Sequence, residues 1–172
     1  MFVLGIDPGL SRCGYCVLDA KRSRARALGV ITTNPADAVP QRLAVLLADM
    51  RQLLDEFAPD VVALERVLFQ VNVRTAMGVG QASGVVMAEA AGRGILVTEY
   101  SPNQVKQAVA GYGAADKRQV QTMVQTLLAL PAPPSPPDAA DAAAVALCHV
   151  AYHPPIGTRP GRQSLATPGE RS

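Results

Sequence analysis

Long apolar runs are missing from this chain of 172 residues. No stretch of about 18 uncharged apolar residues occurs, which excludes a membrane-spanning helix. A charged and apolar secretory leader is missing too, since Met1 runs straight into a strand-like segment, so a soluble, cytoplasmic protein is expected. Cysteine is scarce. Three cysteines without a leader do not make the disulfide framework of a small secreted domain. Net charge is also small: 16 Lys and Arg against 14 Asp and Glu leave a formal +2. That is far from the basic balance of a protein held on DNA by bulk electrostatics, so phosphate binding would have to come from local clustering. What the chain does have is 49% hydrophobic content, enough for one sizeable core and, at this length, not for two full domains.

The pattern along the chain is α/β. Phe2-Val-Leu-Gly-Ile-Asp7, closed by Pro8 and Gly9, reads as a buried strand ending in a turn. Residues 14–19 and 27–33 read as the second and third strands, linked by the basic turn Lys21-Arg-Ser-Arg24 in an antiparallel meander. From Pro40 to Phe57 the residues Leu43, Leu46, Leu47, Met50, Leu53, Leu54 and Phe57 recur at three and four, the stripe of a core-facing helix that Pro59 closes. Val61-Val-Ala-Leu-Glu65 has the β-branched, uncharged character of a central strand buried on both faces. A helix over 75–93 carries Ala76, Gly78, Gly80, Ala82, Ser83 and Gly84 where leucines would normally sit. Glycine costs about 1 kcal/mol against alanine inside a helix, which implies close packing against another backbone, either within the domain or across a dimer interface. Ile95 to Tyr100 is the fifth strand, and Ser101-Pro-Asn-Gln104 is a capping box with proline at the first helical position. Helices are expected to about Ala110, over 116–130 and from Asp138 to about Tyr152, with residues 154–172, rich in Pro, Gly and Arg, as a disordered tail.

Four carboxylates stand at special places in this scheme. Asp7 and Glu65 each end an apolar strand, where an unpaired carboxylate is expensive. Asp138 and Asp141 follow the non-helical Pro131-Ala-Pro-Pro-Ser-Pro-Pro137 and lie three apart on one face of the first turn of the last helix. The helix dipole favours negative charge there by about 0.3–1 kcal/mol per group, so both should stay ionised and suit Mg²⁺ or Mn²⁺ as hard oxygen ligands. Taken singly, Asp7 could be a turn residue, Glu65 a solvated strand end, and Asp138 or Asp141 helix caps. Taken together they read as one metal site, the constellation of a metal-dependent nuclease.

Gly5-Ile-Asp-Pro-Gly9 with Gly14-Tyr15, then Leu64-Glu65, Gly80-Gln81-Ala82 with Gly84, Val105-Lys-Gln107 and Asp138-Ala-Ala-Asp141-Ala resemble, in the same order over roughly residues 1 to 153, the Holliday-junction resolvase family called RuvC. The resemblance implies a ribonuclease-H-like fold: a five-stranded mixed sheet, three antiparallel strands then two parallel ones, flanked by helices. It implies a single nuclease domain over 1–153 and a homodimer that makes paired nicks in four-way DNA junctions during recombinational repair. By the same resemblance Asp7, Glu65, Asp138 and Asp141 would be the metal-binding and catalytic carboxylates, with the RuvA-RuvB branch-migration complex as an implied partner. The chemistry would be two-metal phosphodiester hydrolysis, with Asp7 bridging ions about 4 Å apart and leaving 5′-phosphate and 3′-hydroxyl ends. A two-fold dimer with one site per subunit matches a substrate with two equivalent strands to cut.

Thirteen arginines accompany only three lysines, which singles out Lys106 and Lys117 beside the Gly111-Tyr-Gly113 break. Both match basic positions of the family. With Arg118 they are candidates to hold phosphates next to the carboxylates, against the plain alternative of a solvated helix face. After Glu65, the segment Arg66 to Arg74 reads as a DNA-contacting loop, with Arg74 at its end. The family places an aromatic wedge here, but Leu68 stands at the aromatic position and Phe69 beside it. Phe69 either stacks on a base or folds into the core.

Cys13-Gly-Tyr-Cys16 and His149-Val-Ala-Tyr-His153 together imitate a Cys2His2 site. The cysteines, however, flank the start of a strand and would point to opposite faces, and the gap from Cys16 to His149 far exceeds that of a zinc finger. Buried thiols and a helix-packing histidine are expected instead. Two rivals to the nuclease are a junction-binding module that does not cleave and an actin-like or sugar-kinase-like ATPase, which shares the Gly-Ile-Asp-x-Gly opening but needs a second lobe.

Overall fold

The computed structural model describes residues 1–66 and 73–155. The expectations for Leu68 and Phe69 and for the tail from residue 156 lie outside the described residues, as does the side chain of Arg74. One sheet in the order β3-β2-β1-β4-β5 organises the chain. Strand β1 (Phe2–Asp7) sits at its centre, antiparallel to β2 (Arg12–Asp19), which is antiparallel to β3 (Arg24–Thr32). On its other side β1 runs parallel to β4 (Val61–Glu65), and β4 parallel to β5 (Leu96–Tyr100). The expected meander followed by two parallel strands is therefore present, with β2 and β3 starting two and three residues earlier than the apolar pattern suggests.

Strand alternation decides which helices each residue meets. Along β1, Leu4 and Ile6 join Val62 and Leu64 of β4 in a core shared with α1 (Val39–Phe57) and α2 (Val73–Gly92). Val3, Val61 and Ala63 point the other way, into a core shared with α3 (Pro102–Ala110), α4 (Lys117–Leu127) and α5 (Pro137–Tyr152). With a side-chain period of two, Asp7 follows Val3 and Gly5, and Glu65 follows Val61 and Ala63. Both carboxylates thus belong to the α3–α5 face. The same alternation separates Cys13 from Cys16: both lie within β2, on opposite faces and buried as free thiols.

Helix α5 lies directly on the sheet because both surfaces lack bulk. Ala139, Ala140, Ala142, Ala143, Ala144 and Ala146 are completely buried. A methyl built on Gly5 would stand 2.7 Å from the Ala146 Cβ, and one on Gly14 would fall against the Asp138 carbonyl group at 2.7 Å from its carbon. These two glycines set the depth at which the helix seats. Its amino end differs slightly from expectation: Pro136 is the N-cap and Pro137 the first helical residue, a position where the missing N–H is harmless. Asp138 is consequently in the first turn and Asp141 one turn further in.

Helix α1 presents Leu46, Met50 and Leu54 to the sheet. In α2, Ala82, Val86 and Ala90 face inward, whereas methyls built at Gly80 or Gly84 meet nothing within 4 Å among the described residues. Helix α3 opens with the expected capping box between Ser101 and Gln104, and α4 has a second between Asp116 and Gln119. None of the helices among the described residues is long and apolar enough to cross a membrane.

Candidate active site

The parallel register pairs Ile6 with Leu64, so the next residues, Asp7 and Glu65, leave adjacent strands at the same end of the sheet. Asp7 also pairs across the antiparallel ladder with Gly14, over which the Asp138 backbone is seated. Three separate segments are brought together in this way. A cleft of about 310 Å³ is lined by Asp7, Glu65, Asp141, Lys106 and Lys117, with Val105 and Val120 in its walls. It lies at the carboxyl ends of β1 and β4, where the connections leave in different directions, the place at which open α/β sheets ordinarily hold ligands.

Charge in the cleft is unevenly compensated. Burial, then the charges of Glu65, Asp141 and Asp138, pushes the Asp7 carboxyl up to about 8, with Lys117 opposing the shift. Burial and Asp141 likewise raise Glu65, against Lys106 and Lys117. Asp141 accepts a hydrogen bond from Lys117 Nζ at 2.7 Å, and that bond raises the lysine's own pKa. Lys117 is held in place as the first residue of α4 by the Asp116 cap, and Tyr112 donates its hydroxyl to Gln119 of the same box at 2.6 Å. Asp138 stands at the β2 edge, where Arg12 donates from Nε and Nη2 to its Oδ2 at 2.9 and 2.8 Å. Burial is the largest single influence and opposes, but the Arg12 bond, a backbone hydrogen bond and the charges of Arg12 and Lys117 together outweigh it and hold Asp138 below the usual carboxylate range.

Arg12 was not singled out from sequence: it lies 126 positions from Asp138, and only the seating of α5 on Gly14 brings them together. Arg118 departs from expectation. It lines a different groove with Tyr112, Asp116 and Thr122, since consecutive helical residues point about 100° apart and Lys117 alone of the pair turns to the carboxylates. Arg74 belongs to the first turn of α2. His149 is buried, with its Nδ1 2.8 Å from the Tyr100 hydroxyl. It acts as a packing residue, apart from the cleft.

The donor chemistry fits hard divalent cations. Carboxylate oxygens dominate, among the described residues no thiol or imidazole lines the cleft, and half-buried Asp7 and Glu65 are penalised for charge that a cation would offset. Among the described residues no three His, Cys, Asp or Glu side chains are already gathered as a cage, because Asp138 and Asp141 are turned to Arg12 and Lys117. The raised Asp7 has a consequence for stability. Between about pH 4 and pH 8 the folded chain retains a proton that the unfolded chain has released, so stability falls as pH rises through that window. Without divalent ions, Asp7→Asn is expected to melt above the native protein at pH 8, by on the order of a few kcal/mol, and to lose this advantage towards pH 4. Thermal unfolding in EDTA at both pH values measures this; a variant less stable at pH 8 would contradict it.

A five-stranded mixed sheet with acidic side chains at the ends of its two central strands and on the helix seated against them places the protein in the ribonuclease-H-like class. Residues 3–149 match the family model described as crossover junction endodeoxyribonuclease RuvC. A crossover junction endodeoxyribonuclease RuvC of Pseudarthrobacter chlorophenolicus is 48% identical over 178 aligned positions, 99% of this chain and 92% of its own. That of Streptomyces avermitilis is 53% identical over 154, with 87% of each chain covered. Among solved structures, RuvC of T. thermophilus in complex with a Holliday junction substrate superposes with a TM-score of 0.82 at 38% identity, covering 88% of this chain and 94% of its own. The chain belongs to the RuvC family of crossover junction endodeoxyribonucleases, a family of metal-dependent hydrolases.

Proposed function

We propose that this protein is a structure-selective endonuclease that resolves four-way DNA junctions by paired, symmetric nicks, leaving 5′-phosphate and 3′-hydroxyl ends, in recombination and repair. The observation that carries this reading is the convergence of Asp7, Glu65 and Asp141 with Lys106 and Lys117 on one cleft, and of Asp138 at its border. Asp7, Glu65, Asp138 and Asp141 would hold two Mg²⁺ or Mn²⁺ ions, which supply a water of lowered pKa and stabilise the leaving 3′ oxygen. Lys106 and Lys117 fix the phosphate against the carboxylates. Arg12 and Lys117 neutralise Asp138 and Asp141 until the ligand set closes. Residues 1–153 act as one nuclease domain in the cytoplasm, with Arg74 and Arg118 as more distant phosphate contacts and the RuvA-RuvB complex as partner. Nicking of a synthetic four-way junction and of a matching linear duplex, with and without Mg²⁺, tests the reading. Metal-dependent cleavage of the junction alone supports it; binding without cleavage would indicate a non-cleaving module instead.

A two-fold dimer supplies one site to each equivalent strand. The open face of α2 at Gly80 and Gly84, beside an exposed Met77, is the proposed contact. Gly80→Leu or Gly84→Leu should weaken self-association by roughly tenfold or more, in line with overpacking penalties of about 1–3 kcal/mol. Sedimentation equilibrium checks this; a native protein that stays monomeric at micromolar concentration yet makes paired nicks would remove the symmetry argument.

The Leu68-Phe69 pair is proposed as the apolar wedge at the junction crossover, with Phe69 as the stacking residue. Base stacking on an aromatic contributes about 1–3 kcal/mol, so Phe69→Ala should slow junction cleavage about tenfold to a hundredfold and Leu68→Ala less. A lowered melting temperature with an unchanged rate per active site would instead make Phe69 a core residue.

A further inference from the structure

On the β2 side of the sheet, a groove of about 330 Å³ opens where the carboxylate cleft ends, walled by Gly9, Leu10, Ser11, Arg12, Arg42 and Gly78. Two arginines face it, and among the described residues no carboxylate lines it. Arg42, half-buried on α1, donates from Nε to Thr33 Oγ1 at 3.0 Å and from Nη2 to Ser11 Oγ at 2.5 Å. Thr33 in turn donates its hydroxyl to the Leu10 carbonyl, which leaves its oxygen free to accept from Arg42 and fixes the guanidinium. Both partners of Arg42 are neutral, and among the described residues no acidic group is within ion-pair distance of it. A structural bridge between the β1–β2 loop and α1 needs hydrogen-bond donors but not an uncompensated charge. Holding a planar cation rigid, part-buried and unneutralised at the wall of a groove suits a bound anion, because the ordering entropy is already spent before the ligand arrives.

Position says which anion. Arg12 joins the groove to the active site through its pair with Asp138. Lys106 and Lys117 lie beyond Asp7 and Glu65, on the helices that follow β5. A nucleic-acid strand laid across the carboxylates from Lys106 and Lys117 towards Arg12 runs on to this groove. We propose that the groove between the β1–β2 loop and helices α1 and α2 binds a phosphodiester flanking the scissile one, with Arg42 as its fixed cation. This rests on the reading of the protein as a junction nuclease and adds a second, non-catalytic contact to the strand being cut.

Binding to a four-way junction and to a linear duplex, in EDTA over a range of NaCl concentrations, tests the proposal. Each phosphate neutralised contributes about 0.9 to the slope of log K against log salt. Arg42→Gln should lower that slope by about 0.9 and weaken junction binding about tenfold near physiological salt, the loss of one charge-assisted contact, while Arg42→Lys keeps the slope. A methyl built on Gly78 meets nothing closer than Leu10 Cβ at 3.5 Å, an ordinary contact, so Gly78→Asp starts from a Cβ that fits and adds a carboxylate at the groove wall. It should weaken binding severalfold more than Gly78→Ala, and this pair decides the matter if Arg42→Gln fails to fold. An unchanged slope in folded Arg42→Gln, or equal affinities of the two Gly78 variants, would overturn the proposal. The parent reading fails separately: native protein that binds duplex as tightly as junction removes the junction specificity even where the Arg42 slope change is present.

Discussion

Asp7→Asn is expected to reduce single-turnover cleavage of a four-way junction by roughly a thousandfold or more, the scale seen when one member of a catalytic unit is removed. Junction affinity should stay within a few-fold of native. The two effects separate because Asp7 is a half-buried carboxylate at the centre of the acidic set, raised to about 8 by burial and by its acidic neighbours, whereas phosphate is held by cations around it. Neutralising Asp7 removes a cation ligand and some repulsion towards phosphate at once, so binding is unchanged or slightly tighter. Glu65→Gln and Asp141→Asn should behave alike. Asp138→Asn should lose as much or somewhat less, since Asp138 sits at the border of the cleft in its pair with Arg12 and Asp141 can keep part of the coordination. Gel-resolved cleavage beside an equilibrium binding curve measures both quantities. A near-native rate in Asp7→Asn or Glu65→Gln would show the site to be wrongly placed.

The second large effect is on folding. Gly5→Val and Gly14→Val should leave little folded protein, and the alanine variants should cost about 3 kcal/mol or more, at or beyond the usual overpacking range. Beside Gly5 the obstacle is the Ala142 carbonyl and the Ala146 backbone, and beside Gly14 the Asp138 carbonyl. Neither can rotate away as a side-chain tip can. Gly14→Ala has a further consequence: any outward shift of α5 that relieves the clash carries Asp138 away from Asp7, so residual folded protein should cleave poorly. Gly80→Ala, measured in protein too dilute to populate the proposed α2 contact, is the control, in open space among the described residues, where alanine is favoured over glycine in a helix by about 1 kcal/mol. Chemical denaturation of the three alanine variants gives the comparison. Equal stabilities for Gly14→Ala and Gly80→Ala would mean that α5 is not seated as described.

Much of this arrangement could be read from the residues themselves. The two apolar runs ending in Asp7 and Glu65 announce buried strands with a carboxylate at each tip, and period-two alternation puts both on one face. Proline then glycine-poor alanine repeats mark α5. What could not be read were the contacts between distant segments. The Arg12–Asp138 pair joins residues that no local pattern relates, and the depth of α5 depends on glycines whose role is visible only against the opposing backbone. Adjacency to Lys117 in sequence suggests a place beside the cleft for Arg118, but on a helix that is the wrong neighbour relation. The Asp116–Gln119 capping box, by contrast, is a local motif that the spacing of the two residues spells out. The first turn of α5 begins one residue early because proline is tolerated there, which moves Asp141 into the second turn.

Mapping the nicks tests the central claim most directly. A four-way junction labelled in turn on each strand, incubated with the native protein and Mg²⁺, should be cut in two strands of like polarity at symmetric positions. Ligase should reseal the products without further processing, and Glu65→Gln should yield none. Cuts at unrelated positions, ends that ligase cannot join, or equal cutting by Glu65→Gln would contradict the account.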